Sequence, residues 1–216
     1  TTHKKVNELT SLFKTELGAI HQSRLNCLAL MVLSLISERT VNLVQMCLSG
    51  LGFAKTSSIH RRFERYLSWG GVSPALLGKF ILSLLGPAPK TGYLLALDRT
   101  NWSVGKKKVN LLVVSVIIDK VGYPIYWVQL PKLTKQGNSC SADRIKAMKA
   151  VLKFIKPSDI HALLGDREFI GKQWLEWLDS KDIAYIMRIK SNTFIDGVKA
   201  INWMRNWPHC GQHEVF

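Results

Sequence analysis

Two short apolar runs in this chain each end on an aspartate, and that pair constrains the fold more than any other feature. The first is Tyr93-Leu94-Leu95-Ala96-Leu97, followed by Asp98, Arg99, Thr100, Asn101 and Trp102. The second is Ala162-Leu163-Leu164-Gly165, followed by Asp166, Arg167, Glu168 and Phe169. A short unbroken apolar run suits a strand buried on both faces, although periodicity alone does not exclude a helix. Gly92 before the first run and the polar Arg99-Thr100-Asn101 after it favour a strand of about six residues. Asp98 is then expected at the C-terminal end of its strand, where open α/β sheets hold their ligands. A lone aspartate there more often just opens a turn. Two strands that each deliver one invite a metal site.

The segments around these runs supply a topology. Three strand-like runs, Tyr93–Leu97, Asn110–Ile118 and Tyr123–Leu130, are joined by Gly105-Lys106-Lys107-Lys108 and by Asp119-Lys120-Val121-Gly122. Connectors this short imply antiparallel hairpins. A helix is predicted over Ser141–Ile155, with Ile145, Met148, Leu152 and Ile155 on one face and Lys146, Lys149, Lys153 and Lys156 largely on the other, stopped by Pro157. After the strand leading to Asp166 come a helix over Lys172–Leu178, burying Trp174, Leu175 and Leu178, and a strand over Ala184–Ile189. Three antiparallel strands, a crossover helix, a strand, a helix and a last strand is the order of a ribonuclease H-like fold. In that fold the first and fourth strands are parallel neighbours, which would set Asp98 and Asp166 side by side.

Ahead of this α/β part the chain reads as helical. Val6, Leu9, Leu12, Phe13, Leu17 and Ile20, and then Leu25, Leu28, Met31, Val32 and Leu35, form apolar stripes at helical spacing. A further helix is predicted over Thr40–Leu48, broken by Gly50-Leu51-Gly52. Thr56-Ser57-Ser58 offers N-caps for a helix through Trp69, with Ile59, Phe63, Tyr66 and Leu67 inward and His60, Arg61, Arg62 and Arg65 outward. Helix, glycine-containing turn and basic helix form a helix-turn-helix outline, so Arg61, Arg62 and Arg65 are candidate DNA contacts; an ordinary solvated basic face is the alternative. Ser73-Pro74 starts the next helix and Gly86-Pro87 ends it. The expected organisation is a helical region over 1–90, an α/β core over 91–193 and the start of a β-rich segment over 194–216.

Charge points to the partner. Thirty Lys and Arg against fifteen Asp and Glu give +15, shared as +7 over residues 1–92 and +8 over 93–216. A basic tail is excluded by that even spread, and nucleic acid is the first polyanion to expect; an acidic membrane or simple solubility is the alternative. Cys27, Cys47, Cys140 and Cys210 show no CxxC spacing and read as reduced thiols in a cytoplasmic protein. His209-Cys210-Gly211-Gln212-His213 resembles half a zinc site, but no second ligand pair accompanies it, so a loop is expected. The apolar run Leu25–Ile36 is too short to span a bilayer, and no signal peptide is visible. A start on Thr1 rather than Met and an end in mid-pattern at Phe216 fit a fragment.

Four pieces carry a resemblance to a family: Leu97-Asp98-Arg99-Thr100-Asn101-Trp102, Gly137-Asn138-Ser139 with Asp143-Arg144, Gly165-Asp166-Arg167-Glu168-Phe169, and Arg188-Ile189-Lys190-Ser191-Asn192. In this order, across about residues 93–193, they resemble the insertion-sequence DDE transposases of bacteria, in the cut-and-paste subgroup marked by a Tyr-Arg-Glu-Lys signature. The resemblance implies cleavage and strand transfer at transposon ends by metal-assisted phosphoryl transfer. Hard Mg²⁺ prefers carboxylate oxygens and retains waters, with Mn²⁺ as a substitute. Two such ions activate the attacking oxygen and stabilise the departing one. By resemblance Asp98 would bridge the two metals and Asp166 would hold one, while Arg167 and Lys190 would sit near substrate phosphates, or else be plain surface cations. Strand alternation turns Glu168 away from the side of Asp166, so it is not expected at the metal. The implied partners are transposon terminal repeats and target DNA, with a homodimer in the DNA complex as one arrangement, in a nucleoid-associated bacterial setting.

One part of the family pattern is missing. No Tyr-x-x-Arg-x-x-x-Glu follows Asp166, and nothing around Glu214 fits it, so the expectation is two of three metal-binding carboxylates. Two readings therefore stand: part of an active transposase, or a DNA-binding or inhibitory relic without cleavage. A nuclease of the same fold is a third.

Overall fold

The computed structural model describes residues 2–48, 54–105, 107–130, 139–195 and 197–205. The chain separates into two compact units, Thr1–Leu76 and Leu77–Phe216.

The first unit is helical. Helices α1 (Thr2–Glu16), α2 (Gln22–Glu38), α3 (Leu43–Leu48) and α4 (Thr56–Trp69) close on a core of Phe13, Leu17, Leu25, Ala29, Met46, Ile59 and Phe63. Asn42 caps α3 by accepting from the backbone N–H groups of Val44 and Gln45, which moves its start past the expected Thr40. Two further expectations fail. Lys55, not Thr56, Ser57 or Ser58, is the N-cap of α4, and no side chain bonds there. Leu67, expected inward, is 55% exposed, and Leu12 and Leu35 are also on the surface. A 14-residue helix with two fully buried residues keeps a narrow apolar stripe, so the stripe edge at Leu67 is left in water.

The second unit is built on a mixed sheet. Helix α5 (Pro74–Leu85) is followed by β1 (Tyr93–Val104), β2 (Lys107–Ile118), β3 (Val121–Gln129), α6 (Ser141–Val151), β4 (Ile160–Gly165), α7 (Lys172–Asp179) and β5 (Tyr185–Met187). The strand order is β3-β2-β1-β4-β5. β1, β2 and β3 pair antiparallel, and β4 runs parallel to both β1 and β5. This is the expected ribonuclease H-like α/β arrangement, with helices before it. Asp119 and Lys120 both take positive φ (49° and 67°) in the two-residue turn from β2 to β3. A turn of that hand matches the twist of the paired strands. A two-residue ladder, β6 (Phe194–Ile195) with β7 (Val198–Lys199), and a short helix α8 (Ala200–Met204) follow the sheet.

One face of the sheet carries the core. Leu95, Leu97, Leu112, Val114, Val116 and Leu163 are fully or almost fully buried against Met148 and Val151 of α6 and Trp174 and Leu178 of α7. Each such side chain contributes about 1.5–3 kcal/mol by leaving water. Ile81, Leu82 and Leu85 of α5 pack on the same cluster. Gly78 lets α5 approach β3 closely, since a Cβ there would overlap the Ile125 carbonyl. At Gly92, just before β1, φ is +87° and a Cβ would meet the backbone of Asp159 and His161. Glycine is the residue that tolerates both demands.

Candidate active site

The parallel register decides where the two aspartates go. Leu95 pairs with Leu163, Ala96 with Leu164 and Leu97 with Gly165, and the next residue on each strand is Asp98 and Asp166. Neighbouring strands lie about 4.8 Å apart, so the two carboxylates leave the backbone at adjacent positions. Both side chains are exposed. Asp98 is not at the end of its strand, as the sequence suggested. β1 runs on to Val104 because Thr100, Asn101 and Trp102 continue to pair with β2 after β4 has ended. Asp98 instead is the first residue of β1 past its pairing with β4, where only β2 still continues beside it.

Strand alternation then separates Asp98 from Arg99. Leu95 and Leu97 face the helices, so Arg99 faces them too, while Asp98 falls on the opposite face with Leu94 and Ala96. A guanidinium on a helix-covered face needs an anion. Glu168 supplies it. Arg99 Nε donates to Glu168 Oε1 at 2.9 Å and to Oε2 at 3.1 Å, and Nη2 donates to Oε2 at 3.0 Å. The pair is only 14% and 19% exposed. Hydrogen bonding to Glu168 holds the Arg99 guanidinium above its usual range, against the opposing effect of burial, with Asp98 adding a smaller attraction. Arg99 Nη1 also reaches Asn110 Oδ1 at 3.4 Å.

A second arginine braces the same turn from inside. Arg144 of α6 is 4% exposed. Its Nη2 donates to the Glu168 carbonyl at 2.8 Å and to the Ser139 carbonyl at 2.6 Å, its Nε to Ser139 Oγ at 3.0 Å, and its Nη1 to the Ile170 carbonyl at 3.5 Å. Its guanidinium also lies 5.3 Å from the centre of the Phe169 ring. Burial pushes its pKa down while Glu168, Cys140 and Asp143 pull it back up. Asp143 accepts from the Cys140 N–H at 3.1 Å and so caps α6.

Glu168 stays away from Asp166's side, but the reason given by strand alternation does not apply. Arg167–Phe169 is a single 3-10 turn, not strand; Arg99 holds the Glu168 carboxylate inward and Arg144 holds its backbone carbonyl. Asp166 itself faces a third arginine: Arg188 Nη1 lies 3.5 Å from Asp166 Oδ1, with the two side chains 82% and 49% exposed. The Arg188 N–H bonds the Gly165 carbonyl at 3.0 Å, which fixes the backbone beneath that pair. Asp98 Oδ1 accepts from the Arg99 N–H at 2.7 Å.

Two exposed carboxylates on adjacent strands offer the hard oxygen donors that a divalent cation selects. Among the described residues no group of three or more His, Cys, Asp or Glu is arranged to hold a metal. Arg167 and Lys190 are exposed, both beyond the C-terminal ends of the parallel strands β4 and β5. Arg61, Arg62 and Arg65 are exposed on α4 in the helical unit. The His209–His213 stretch, Gly137, Asn138 and Glu214 lie outside the described residues. Among the described residues no single helix is long and apolar enough to cross a membrane. Sequence reasoning missed Arg99, Glu168 and Arg144 as a unit. The available signal was Arg99 itself, which directly follows an outward Asp98 and must therefore turn inward with its charge.

The family model of the transposase DDE domain matches residues 89–196, half of the chain. No curated protein matches it. The matched stretch spans the whole five-stranded sheet, both aspartates and the Arg99–Glu168–Arg144 network. Proteins of this kind act on DNA with divalent metal ions, and by that match and its sheet topology this chain belongs to the DDE transposase family.

Proposed function

We propose that the chain serves DNA transposition, its sheet unit contributing to metal-dependent cutting and strand transfer at transposon ends and its helical region binding the DNA. The single observation that carries this reading is the register Leu97–Gly165, which makes Asp98 and Asp166 the next residues on adjacent parallel strands. Asp98 and Asp166 are the metal-binding carboxylates, with Mg²⁺ as the cofactor and Mn²⁺ as its substitute. When bound, the metal supplies Lewis-acid stabilisation of charge at the phosphodiester. Water is the attacking group in the first cut and a DNA 3′-hydroxyl in strand transfer. Arg167 and Lys190 lie toward the substrate phosphates, and Arg61, Arg62 and Arg65 of α4 meet duplex DNA in the terminal repeat. Glu168 acts through Arg99: the bidentate pair ties the turn after Asp166 to the strand that carries Asp98, so the two carboxylates keep a fixed relation. Within residues 1–90 the DNA-binding part is α1–α4, since α5 packs on the sheet core; residues 91–193 are the catalytic core and 194–216 a further segment, and a DNA-bound homodimer in the bacterial cytoplasm is the working form.

A second reading is favoured by one specific observation. The 216 residues contain no Tyr-x-x-Arg-x-x-x-Glu beyond Asp166. A cation that needs several oxygen ligands is then poorly held, and about 4 kcal/mol of lost transition-state stabilisation slows a step about a thousandfold. By itself this chain is then a DNA-binding or inhibitory protein. The experiment compares Mg²⁺- and Mn²⁺-dependent nicking of transposon ends by the 216-residue chain and by a version extended through a Tyr-Arg-Glu-Lys segment. The short chain should bind and not nick. Equal nicking that Asp98→Ala abolishes would mean another residue supplies the third ligand.

A further inference from the structure

We propose that a cleft between α2 and α4 is a clamp for a DNA phosphodiester, with Arg24 as an arm that nothing in the basic face of α4 foretells. The proposal rests on the DNA-binding reading of the helical unit and names a site within it.

The cleft has a volume of about 310 Å³ and is lined by Ser23, Arg24 and Cys27 of α2 and by Arg62, Arg65 and Tyr66 of α4. It is built by packing. Arg24 Nη1 donates to the Arg65 carbonyl at 3.2 Å, and its guanidinium lies 4.6 Å from the centre of the Trp69 ring. Cys27 Sγ donates to the Arg62 carbonyl at 3.6 Å. The backbone under both α4 arginines is thus tethered to α2, and among the described residues Arg24 is held in place with one of its five N–H donors used. Burial pushes the Cys27 thiol up although Arg62, Arg24 and Arg65 all act against it, so it stays a neutral thiol and adds no negative charge.

Three guanidinium groups therefore surround one opening with no carboxylate among the described lining residues. Glu64, the acid of α4, lines the neighbouring depression with Ser58, Arg61, Arg62 and Arg65, but it pairs with His60 at 3.4 Å and with no arginine among the described residues. Like charges around an opening repel, and a bound anion relieves the repulsion while filling the donors they offer. Phosphate oxygens suit the arginine fork, and in a chain of net charge +15 that belongs to a DNA-acting family the phosphodiester of duplex DNA is the expected source. Arg62 and Arg65, three residues apart, line both the cleft toward α2 and the neighbouring depression, whereas Arg61 lines the depression and not the cleft. The clamp then fixes the position of α4 on the backbone, and Arg61 is the arginine left over for other contacts.

The test measures binding of two short duplexes of unrelated sequence by fluorescence anisotropy across a range of KCl, using the full chain. Arg24→Gln should weaken both duplexes alike, about three- to tenfold near 0.1 M salt, and should lower the log–log salt slope by about one. Because Arg24 also supports the α2–α4 contact, a second variant separates binding from folding. Ser23→Asp places a carboxylate at the mouth of the cleft in the first turn of α2, where an acid favours the helix, so the melting temperature should hold while duplex affinity falls at least about threefold. Wild-type affinity and slope in both variants overturn the clamp and leave the DNA reading standing. A loss confined to one duplex also overturns it, since that marks base readout. Failure of the wild type to bind either duplex removes the reading and the clamp together. Inorganic phosphate at matched ionic strength should raise the melting temperature by less than about 1 °C. A larger rise that Arg24→Gln removes, with duplex binding intact, assigns the cleft to free phosphate and overturns the DNA assignment.

Discussion

Arginine is used in two opposite ways in the two units. In the sheet unit Arg99 and Arg144 are taken out of water and bonded on almost every side, to Glu168, Asn110, Ser139 and the carbonyls of Glu168 and Ile170. In the helical unit Arg61, Arg62 and Arg65 stand exposed on α4, and among the described residues no carboxylate lies within ion-pair distance of them. A cation that is internally satisfied stabilises the fold and contributes little to attraction at long range. An exposed, uncompensated cation does the reverse: it adds nothing to the fold and offers its charge to a partner. The same residue type therefore reports structure in one unit and recognition in the other, and the comparison can be broken by substitution.

The largest effect is expected at Arg144. Arg144→Met keeps the bulk and removes donors from the carbonyls of Ser139 and Glu168 and from Ser139 Oγ, leaving buried acceptors without partners. Unsatisfied buried groups cost about 1–3 kcal/mol each, so a loss of roughly 3 kcal/mol and a melting temperature lower by about 10 °C are expected by calorimetry. Glu168→Gln should cost less, about 2 kcal/mol, because the shape is retained and one charge is lost. It should also weaken Mn²⁺ binding followed by electron paramagnetic resonance, which a purely global destabilisation such as Val151→Ala should not. Unchanged Mn²⁺ affinity in Glu168→Gln would leave the Arg99–Glu168 pair a structural strut with no bearing on the carboxylates.

The opposite outcome is expected on α4. Converting Arg61, Arg62 and Arg65 together to Ala should leave the melting temperature within about 1–2 °C, since exposed substitutions usually change stability by less than about 0.5 kcal/mol each. Duplex binding should suffer instead, with a salt slope smaller by about three. A slope that does not move would show that α4 does not face DNA.

The sheet was readable because hydrophobic patterning and short connectors leave few topologies. Apolar runs at Tyr93, Asn110 and Tyr123 with turns between them force hairpins, and the crossover through α6 forces β4 to lie parallel to β1. The reach of β1 was not readable. Thr100, Asn101 and Trp102 are polar or exposed, yet they stay in the ladder because β2 continues opposite them, and propensity is overruled by a partner strand. The outward pair Asp98 and Asp166 was visible as two runs with the same ending. The inward network was not, because Arg99, Arg144 and Glu168 are separated by 24 to 69 residues and meet only once the turn after Asp166 folds as a 3-10 turn. Alternation was applied to Glu168 as though the strand continued. It stops at Gly165.

The smallest expected effect sits where the two uses of arginine meet, at Arg188. This side chain is as exposed as those on α4, yet it faces a carboxylate, Asp166, at 3.5 Å. Its backbone is fixed by the Gly165 carbonyl, so the guanidinium returns to the same neighbourhood even though its own side chain is free in water. An exposed pair of this kind is worth about 0–1 kcal/mol, so Arg188→Gln should leave the melting temperature almost unchanged. The consequence lies in what Asp166 can bind. A cation resting on one carboxylate of the Asp98–Asp166 pair repels a second cation, and at effective dielectric constants typical of protein surfaces that repulsion amounts to a few tenths of a kcal/mol or more. Arg188→Gln should therefore tighten Mn²⁺ binding by about two- to fivefold, most visibly at low ionic strength where screening is weak. Weaker Mn²⁺ binding in this variant would place Arg188 with Arg99, as a group that holds the carboxylate in position. Unchanged binding would mean that the cation enters from the Asp98 side, beyond the reach of Arg188.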